Sequence, residues 1–258
     1  MVGNLLLRGM LCGLAAALVC FVFLRIFGEP PVDQAIAVEE AHAAAEAAAA
    51  PATAEPAGHH HGEEALVSRP TQAGVGLLTA LVVYGSALGG LFSLAFAFCY
   101  GRWDRLGPRG TAALIAAVGF TAVYLVPWLK FPPSPPAVGN PDTIGERTAI
   151  YMTMVVLSLA GATAAMVLRG RLAPAHGRWN ASLIAGAAYL AAMIAAAIVL
   201  PGIHEVPDDF PATTLWSFRM ASLGGQAILW SVIGIGFGLL SHRVATRAPG
   251  ARVDVAVV

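Results

Sequence analysis

The sequence predicts an all-α, polytopic membrane protein whose single domain is a bundle of six transmembrane helices. Three observations carry this prediction. Of the 258 residues, 57% are hydrophobic and only 12% are charged, whereas a soluble domain carries about 25% charged residues. The mean hydropathy is +0.71. The apolar residues are also gathered into six long runs, each near the ~20 residues that cross a bilayer as a helix.

The six runs are too long and too uniformly apolar to be buried strands. We expect transmembrane spans over residues 5–27, 73–100, 111–129, 149–168, 181–200 and 221–240. The chain, residues 1–258, is therefore predicted to form one integral membrane domain. Abundant glycine fits such a bundle, because small residues let membrane helices pack closely.

The first span has an alternative interpretation as a cleaved signal peptide. Arg8 would supply the charged region, and Ala-Ile-Ala at residues 35–37 would be the cleavage site. The apolar stretch exceeds the ~7–15 residues of a signal peptide. Gly9 and Gly13 also stand at a spacing typical of packed membrane helices. We therefore expect a retained membrane helix.

Lysine and arginine are divided unevenly between the two sides of the predicted bundle. With the N-terminus inside, ten of the fifteen fall on the inner side and five on the outer side. The inner residues are Arg8, Arg102, Arg105, Arg109, Arg169, Arg171, Arg178, Arg243, Arg247 and Arg252; the outer ones are Arg25, Arg69, Lys130, Arg147 and Arg219. By the positive-inside rule both termini are cytoplasmic, with residues 243–258 as a tail. The formal net charge is zero, so nothing indicates nucleic-acid binding.

The first outer loop, residues 28–72, is a low-complexity tract rich in alanine, glutamate and proline. It contains the triplet His59, His60 and His61. Imidazole and carboxylate groups both bind divalent metals, so the tract either captures metal loosely or is a solvated tether. The sequence leaves both possibilities open. His42 and Glu46 would share a face if this part is helical.

The second outer loop has five prolines between residues 127 and 136. Proline removes amide donors and stiffens the chain, so we expect an extended stretch rather than a helix. It forms either a rigid plug or lid, or a spacer that turns the chain. Asp142 and Glu146 follow it before the next span.

The third outer loop brings four possible metal ligands into six residues: His204, Glu205, Asp208 and Asp209. Hard or borderline divalent ions accept this donor set. The alternative is a polar loop in which one aspartate caps the next helix.

The second and third outer loops resemble one another. Each begins where a helix meets proline, at Pro127 and Pro201, and each ends on an arginine, Arg147 and Arg219. This similarity is typical of a bundle built from repeated helical hairpins in parallel orientation. The first hairpin would be a third copy.

The predicted spans hold no Asp, Glu or His in their middle. This pattern argues against a proton antiporter with a midplane carboxylate and against a haem held by paired histidines. The three cysteines have no CxxC spacing, and no nucleophile–base constellation is present. We therefore predict no bound cofactor and no enzymatic activity. Gln226 is the most polar residue within the spans, where we expect an interhelical hydrogen bond.

Three stretches of the sequence resemble the CbtA family, the predicted cobalt transporter subunit of bacteria. The first is Phe-Leu-Arg-Ile-Phe-Gly-Glu-Pro-Pro-Val-Asp-Gln-Ala at residues 23–35. The second, at residues 129–148, contains Lys-Phe-Pro-Pro-Ser-Pro-Pro and Gly-Asn-Pro-Asp-Thr-Ile-Gly-Glu-Arg-Thr. The third is Pro-Asp-Asp-Phe-Pro followed by Leu-Trp-Ser-Phe-Arg, within residues 207–219. The resemblance extends over about residues 3–243.

The resemblance implies cobalt uptake across the bacterial inner membrane to supply cobalamin synthesis. It also implies a partner, the small single-span, histidine-bearing CbtB. A homo-oligomer is a further option. Our candidate ligands for the cobalt ion are Glu29, Asp142, Glu146, His204, Glu205, Asp208 and Asp209, together with His59, His60 and His61. We expect Arg25, Arg147 and Arg219 to pair with acids rather than meet the cation.

Two functions remain open at this point, and a membrane enzyme is a third that the sequence disfavours. The first is an inner-membrane permease subunit that passes divalent cobalt inward. The second is an extracytoplasmic metal-binding or assembly subunit that hands the metal to a partner without conducting it.

Overall fold

A computed structural model describes residues 2–49, 67–102, 106–136, 138–139, 141–203 and 205–247. The described part is 88% helical and contains no strand, which confirms the all-α prediction. The helices are α1 (Val2–Phe27), α2 (Glu29–Ala49), α3 (Arg69–Cys99), α4 (Pro108–Lys130), a long segment Ile144–Val199, and α7 (Ala212–Arg247).

The segment Ile144–Val199 is a helical hairpin divided at Gly177. This residue has φ 75° and ψ 156°, a conformation that in practice only glycine adopts. We call residues 144–176 α5 and residues 178–199 α6. Arg169 Nε donates to Ser182 Oγ at 2.8 Å. Farther from the turn, the hydroxyls of Ser158 and Tyr189 lie 2.7 Å apart.

The described helices are compatible with the predicted polytopic bundle. Five described helical segments are long and apolar enough to cross a membrane, and one of them is the 56-residue hairpin Ile144–Val199. Because that segment contains two of the predicted spans, the structure confirms the prediction of six apolar helices in a polytopic bundle.

Helices α1 and α3 approach each other most closely at glycines. A Cβ atom on Gly13 would lie 1.9 Å from the carbonyl oxygen of Gly85, and one on Gly9 would lie 2.2 Å from that of Gly89. No side chain fits between these backbones, so the glycine spacing of α1 is a packing contact, as the sequence predicts.

The centre of the bundle is the buried face of α7. Leu229, Ile233 and Phe237 are almost completely buried and stand four residues apart, on one face of the helix. Phe92 and Phe96 of α3 pack their rings against Phe237, with centroids 5.6 and 5.0 Å away. Helix α1 contributes buried residues to the same cluster, so it is a core helix of the bundle.

The hairpin of α5 and α6 packs against the end of α4. Val126 and Phe131 join Met154 of α5 and Met193 of α6 in a second buried cluster. Met154 is buried whereas Met152 is exposed, because residues two apart cannot share one helical face. Away from this cluster, an apolar groove of about 510 Å³ separates α4 from the hairpin.

Helix α2 is a correction to the predicted low-complexity loop. The Glu29–Ala49 stretch is helical, because alanine has the highest helix propensity and Pro30 and Pro31 lie in the first turn, where no amide donor is needed. Thr214 of α7 donates to Gln34 Oε1 at 2.9 Å. The rest of the tract, with His59, His60 and His61, lies outside the described residues.

Pro127 is a second correction, since it lies inside a helix rather than at the start of the extended stretch. The preceding Phe120–Leu125 segment is a π-helix. A π-turn alters the local hydrogen-bond pattern and so makes room for a residue that cannot donate. The extended chain begins only at Phe131, after α4 ends at Lys130.

We predict that Gly13→Ala destabilises the folded protein by about 1–3 kcal/mol or more, since the new methyl group meets the Gly85 backbone. Gly3→Ala is the control in the same helix, because a Cβ there meets nothing within 4 Å. Thermal unfolding in detergent measures both variants. Equal unfolding temperatures for the two variants would contradict the close crossing.

We also predict that Gly177→Ala destabilises the hairpin by about 1–3 kcal/mol, because alanine is strained at this positive φ. Gly170→Ala is the control, since it lies in the same hairpin with open space around it and gains up to ~1 kcal/mol of helix propensity. Comparing the unfolding temperatures of the two variants tests the positive φ at Gly177. An unfolding temperature of Gly177→Ala equal to that of the parent would refute it.

Candidate functional site

The connections at one end of the bundle hold every predicted metal ligand that the structure describes. We call this the proline-rich end; α1, α4 and α6 finish there and α2, α3, α5 and α7 begin there. The opposite end is the arginine-rich end. Its described arginines are Arg8, Arg102, Arg109, Arg169, Arg171, Arg178, Arg243 and Arg247.

Among the predicted metal ligands that the structure describes, Glu29 is the buried one. It begins α2 directly after α1 ends, and only 8% of its surface is exposed. Arg69, at the start of α3, donates from Nη2 to Glu29 Oε2. Its Nε also donates to Asp33 Oδ1 at 2.9 Å. We call these three residues the Glu29 cluster; two carboxylates and one guanidinium leave it a net charge of −1.

Of the three cluster residues, Glu29 lines a cavity of about 220 Å³ between α1, α3 and α7, which we call the central cavity; we call the part of it at Glu29 its mouth. Cys20, Tyr84 and Gln226 also line it. Gln226 Oε1 is buried and has no hydrogen-bond partner among the described residues. The interhelical hydrogen bond that the sequence predicts for Gln226 is therefore not found at this oxygen.

A second cavity at the same end, of about 430 Å³, lies under the proline stretch; we call it the lateral cavity. Lys130, Arg147, Arg219 and Glu205 line it. Three cations against one carboxylate give this wall a net charge of +2. A divalent cation is therefore repelled from the lateral cavity and attracted to the Glu29 cluster.

Within the lateral cavity, the second and third outer loops are joined by polar contacts. Arg147 Nη1 lies 3.0 Å from Glu205 Oε2, and the Thr143 hydroxyl donates to Glu205 Oε1 at 2.6 Å. Gly139, with φ 114°, allows this approach, since a Cβ there would lie 2.5 Å from Arg147 Nη1. Arg147 thus pairs with an acid as predicted. Arg219 donates to the carbonyl of Pro133 at 3.3 Å, and no acid partner for it is found among the described residues.

The remaining candidate ligands are spread over the surface of this end. Asp142, Glu146 and Asp208 are exposed. Asp209 is also exposed, and its Oδ2 lies 3.2 Å from His42 Nε2 of α2. His204, like the triplet at 59–61, lies outside the described residues. Among the described residues, no three His, Cys, Asp or Glu side chains gather into a group that could hold a metal ion.

Arg69 and the packing around Gln226 Oε1 are features of the candidate site that the sequence patterns did not identify. Arg69 belongs to the predicted outer set, but its pairing with Glu29, forty residues earlier, depends on the α1–α3 crossing. The available signal was the placement of Arg69 immediately before an apolar span. For Gln226, the signal was a lone amide within an apolar run.

The sequence model of one protein family, described as "Probable cobalt transporter subunit (CbtA)", matches residues 2–242. The match covers nearly the whole chain, including the Glu29 cluster and both cavities. Among curated proteins and among solved structures, nothing matches the chain.

We predict that Arg69 is coupled more strongly to Glu29 than to Asp33. Arg69→Gln should lower the free energy of unfolding by roughly 1–3 kcal/mol, because it leaves the buried Glu29 carboxylate without a donor. Adding Glu29→Gln should restore most of the loss. Asp33 has a side chain that is 60% exposed, so its coupling should be only about 0.2–1 kcal/mol. Double-mutant cycles measure both couplings, and equal values would contradict the burial argument.

Proposed function

Because the chain belongs to the CbtA family, we propose that it is the inner-membrane permease subunit through which divalent cobalt enters the cell, to supply cobalamin synthesis. The family match supports a cobalt transporter subunit. The bundle of apolar helices supports a membrane protein. The proposal that this subunit itself conducts the ion depends on the geometry of the proline-rich end.

The observation that carries the proposal is a buried carboxylate at the mouth of an internal cavity. Glu29 is 8% exposed and lines the central cavity between three core helices. A buried carboxylate is costly unless it is paired or binds a cation, and Glu29 lies just past the end of the first span, where an arriving ion would meet it. The net charge of −1 on the Glu29 cluster gives an arriving cation a binding site that the basic lateral cavity does not offer.

The direction of passage follows from the charges of the two ends. We propose that the arginine-rich end and both termini face the cytoplasm, in accordance with the positive-inside rule. The proline-rich end then receives metal from outside. Moving a charge of +2 inward across 100 mV, inside negative, is favourable by roughly 4.6 kcal/mol, twice the value per charge.

A specific contact favours the alternative of a capture subunit. His42 and Asp209 form an exposed imidazole–carboxylate pair, and such a pair can bind a divalent ion at the surface without any passage. In that function the chain hands metal to a partner and conducts nothing. The description as a subunit implies a partner in both cases, and we propose a small CbtB-like membrane protein, with or without self-association.

We predict that Glu29→Gln reduces cobalt uptake by cells about tenfold or more, since the cavity mouth loses its charge and a ligand. Glu40→Gln is the matched control, because Glu40 is an exposed glutamate of the same helix and is not a candidate ligand. Radioactive cobalt uptake, at equal amounts of membrane protein and with the partner co-expressed, measures the effect. Uptake that is equally reduced in both variants would contradict a specific role for Glu29.

Flux into proteoliposomes separates the permease from the capture subunit. The permease predicts cobalt accumulation that responds to an imposed inside-negative potential. The capture subunit predicts bound metal without accumulation, and binding that is lost on His42→Ala or Asp209→Asn. Binding with no flux, with and without the partner, would refute the permease.

A further inference from the structure

The inner part of the central cavity contains two metal-ligating groups beyond the Glu29 cluster. Cys20 of α1 and Gln226 of α7 both line the cavity. The Cys20 thiol donates to the carbonyl oxygen of Gly225 at an Sγ–O distance of 3.4 Å. Since Gly225 precedes Gln226, the sulfur lies beside the helical turn that carries the amide.

The Gln226 amide oxygen needs an interaction that the described residues do not provide. Its Oε1 is shielded from solvent and accepts no hydrogen bond from them. A buried acceptor without a donor costs folding free energy, and a bound ion or an ordered water at this oxygen would offset that cost. The last torsion of glutamine is soft, so the oxygen can turn toward a ligand in the cavity.

We propose that Gln226 and Cys20 form an intramembrane cation site, where the amide oxygen and the sulfur hold an ion that has passed Glu29. The sulfur selects a borderline transition-metal ion such as Co²⁺ over Mg²⁺ and Ca²⁺, which prefer oxygen ligands. The inference rests on the proposed function for the direction of passage, whereas binding itself can be tested without transport.

The electrostatics of the cavity require an anionic ligand. A doubly charged ion in this apolar surrounding is costly unless opposite charge lies nearby. On coordination the thiol S–H bond breaks and a sulfur–metal bond forms. The proton is released to bulk water through the cavity, and the thiolate stays bound to the metal. The site thus gains one negative charge when the metal arrives.

The remaining polar groups of the cavity wall are hydroxyls that can complete the coordination shell. Ser222 lines the cavity, and its Oγ lies 3.0 Å from the Tyr124 hydroxyl, which donates to it. Tyr84 lines the same cavity. Neither group carries charge at neutral pH, so the thiolate and Glu29 provide the charge that balances the ion.

The test uses the full chain in lipid nanodiscs with CoCl₂ as the probe. Gln226→Leu should weaken equilibrium Co²⁺ binding by about tenfold or more, because it removes the amide oxygen and keeps most of the volume. Gln226→Glu, which keeps an oxygen ligand and adds charge, should bind at least as tightly as the parent. Gln72→Leu, at an exposed amide outside the cavity, is the matched control and should change nothing.

Cys20 is tested by its spectrum and by selectivity. Cys20→Ser should abolish the thiolate-to-cobalt charge-transfer absorption and reduce the preference for Co²⁺ over Mg²⁺ in competition. Cys12→Ser, at a buried cysteine of the same helix that does not line the cavity, should retain both properties. Size-exclusion elution of each variant shows that it is folded.

The results distinguish the inference from the proposed function. Unchanged Co²⁺ affinity in Gln226→Leu and unchanged absorption in Cys20→Ser would overturn the intramembrane site, while Glu29-dependent flux would still support the permease. Tight binding that depends on Gln226, combined with no flux in proteoliposomes, would support the site and refute the permease.

Discussion

The close crossing of α1 and α3 is the constraint on which the rest of this structure depends. With Gly9 and Gly13 against Gly85 and Gly89, the two backbones touch in the half of α1 nearer the arginine-rich end. On the other side of this contact, larger residues such as Leu24 and Leu81 line the central cavity between the helices. The crossing therefore places a cavity in the half of the bundle where the candidate cation ligands lie.

The same crossing brings together residues that are distant in sequence. It aligns the end of α1 with the beginning of α3, so that Glu29 meets Arg69 across a connection whose central part lies outside the described residues. Because Arg69 contacts two carboxylates, it stabilises the buried Glu29 without cancelling the negative charge of the cluster. The formal charge of −1 that remains on the cluster still attracts a cation.

The charges that line the two cavities of the proline-rich end indicate which of them is the better candidate for binding a cation. The lateral cavity is the larger of the two, and the proline stretch forms part of its wall. Its three basic side chains nevertheless make it unsuitable as a cation entrance. The acids of the third loop are either paired, as Glu205 is with Arg147, or exposed at the surface. The smaller central cavity combines burial, negative charge and an unpartnered amide oxygen, and it is therefore the better candidate.

The sequence predicts the helices well because membrane spans depend on local composition. The lengths of the apolar runs are enough to locate the six spans, and even the turn at Gly177 lies between two predicted spans. The helix α2 was missed because its alanine-rich composition fits both a helix and a tether. The helical position of Pro127 was not predicted, because the spacing of prolines does not reveal that a π-helix precedes them.

The candidate site is less predictable because its function depends on contacts between distant segments. Glu29 could be selected as a ligand from its sequence context, but its burial results from the packing of α2 on the core. The pairing of Arg219 with a carbonyl instead of an acid depends on the path of the proline stretch. For Gln226, the absence of a described partner for Oε1 is a property of the packed bundle, which no local pattern encodes.

The most direct test of this account is the position of cobalt in the protein. Anomalous diffraction at the cobalt absorption edge, from crystals grown in lipid and soaked with CoCl₂, locates the ion independently of any activity. The account predicts a peak between α1, α3 and α7, within the central cavity between Glu29 and Gln226. A peak confined to the lateral cavity, or to the exposed pair of His42 and Asp209, would contradict it.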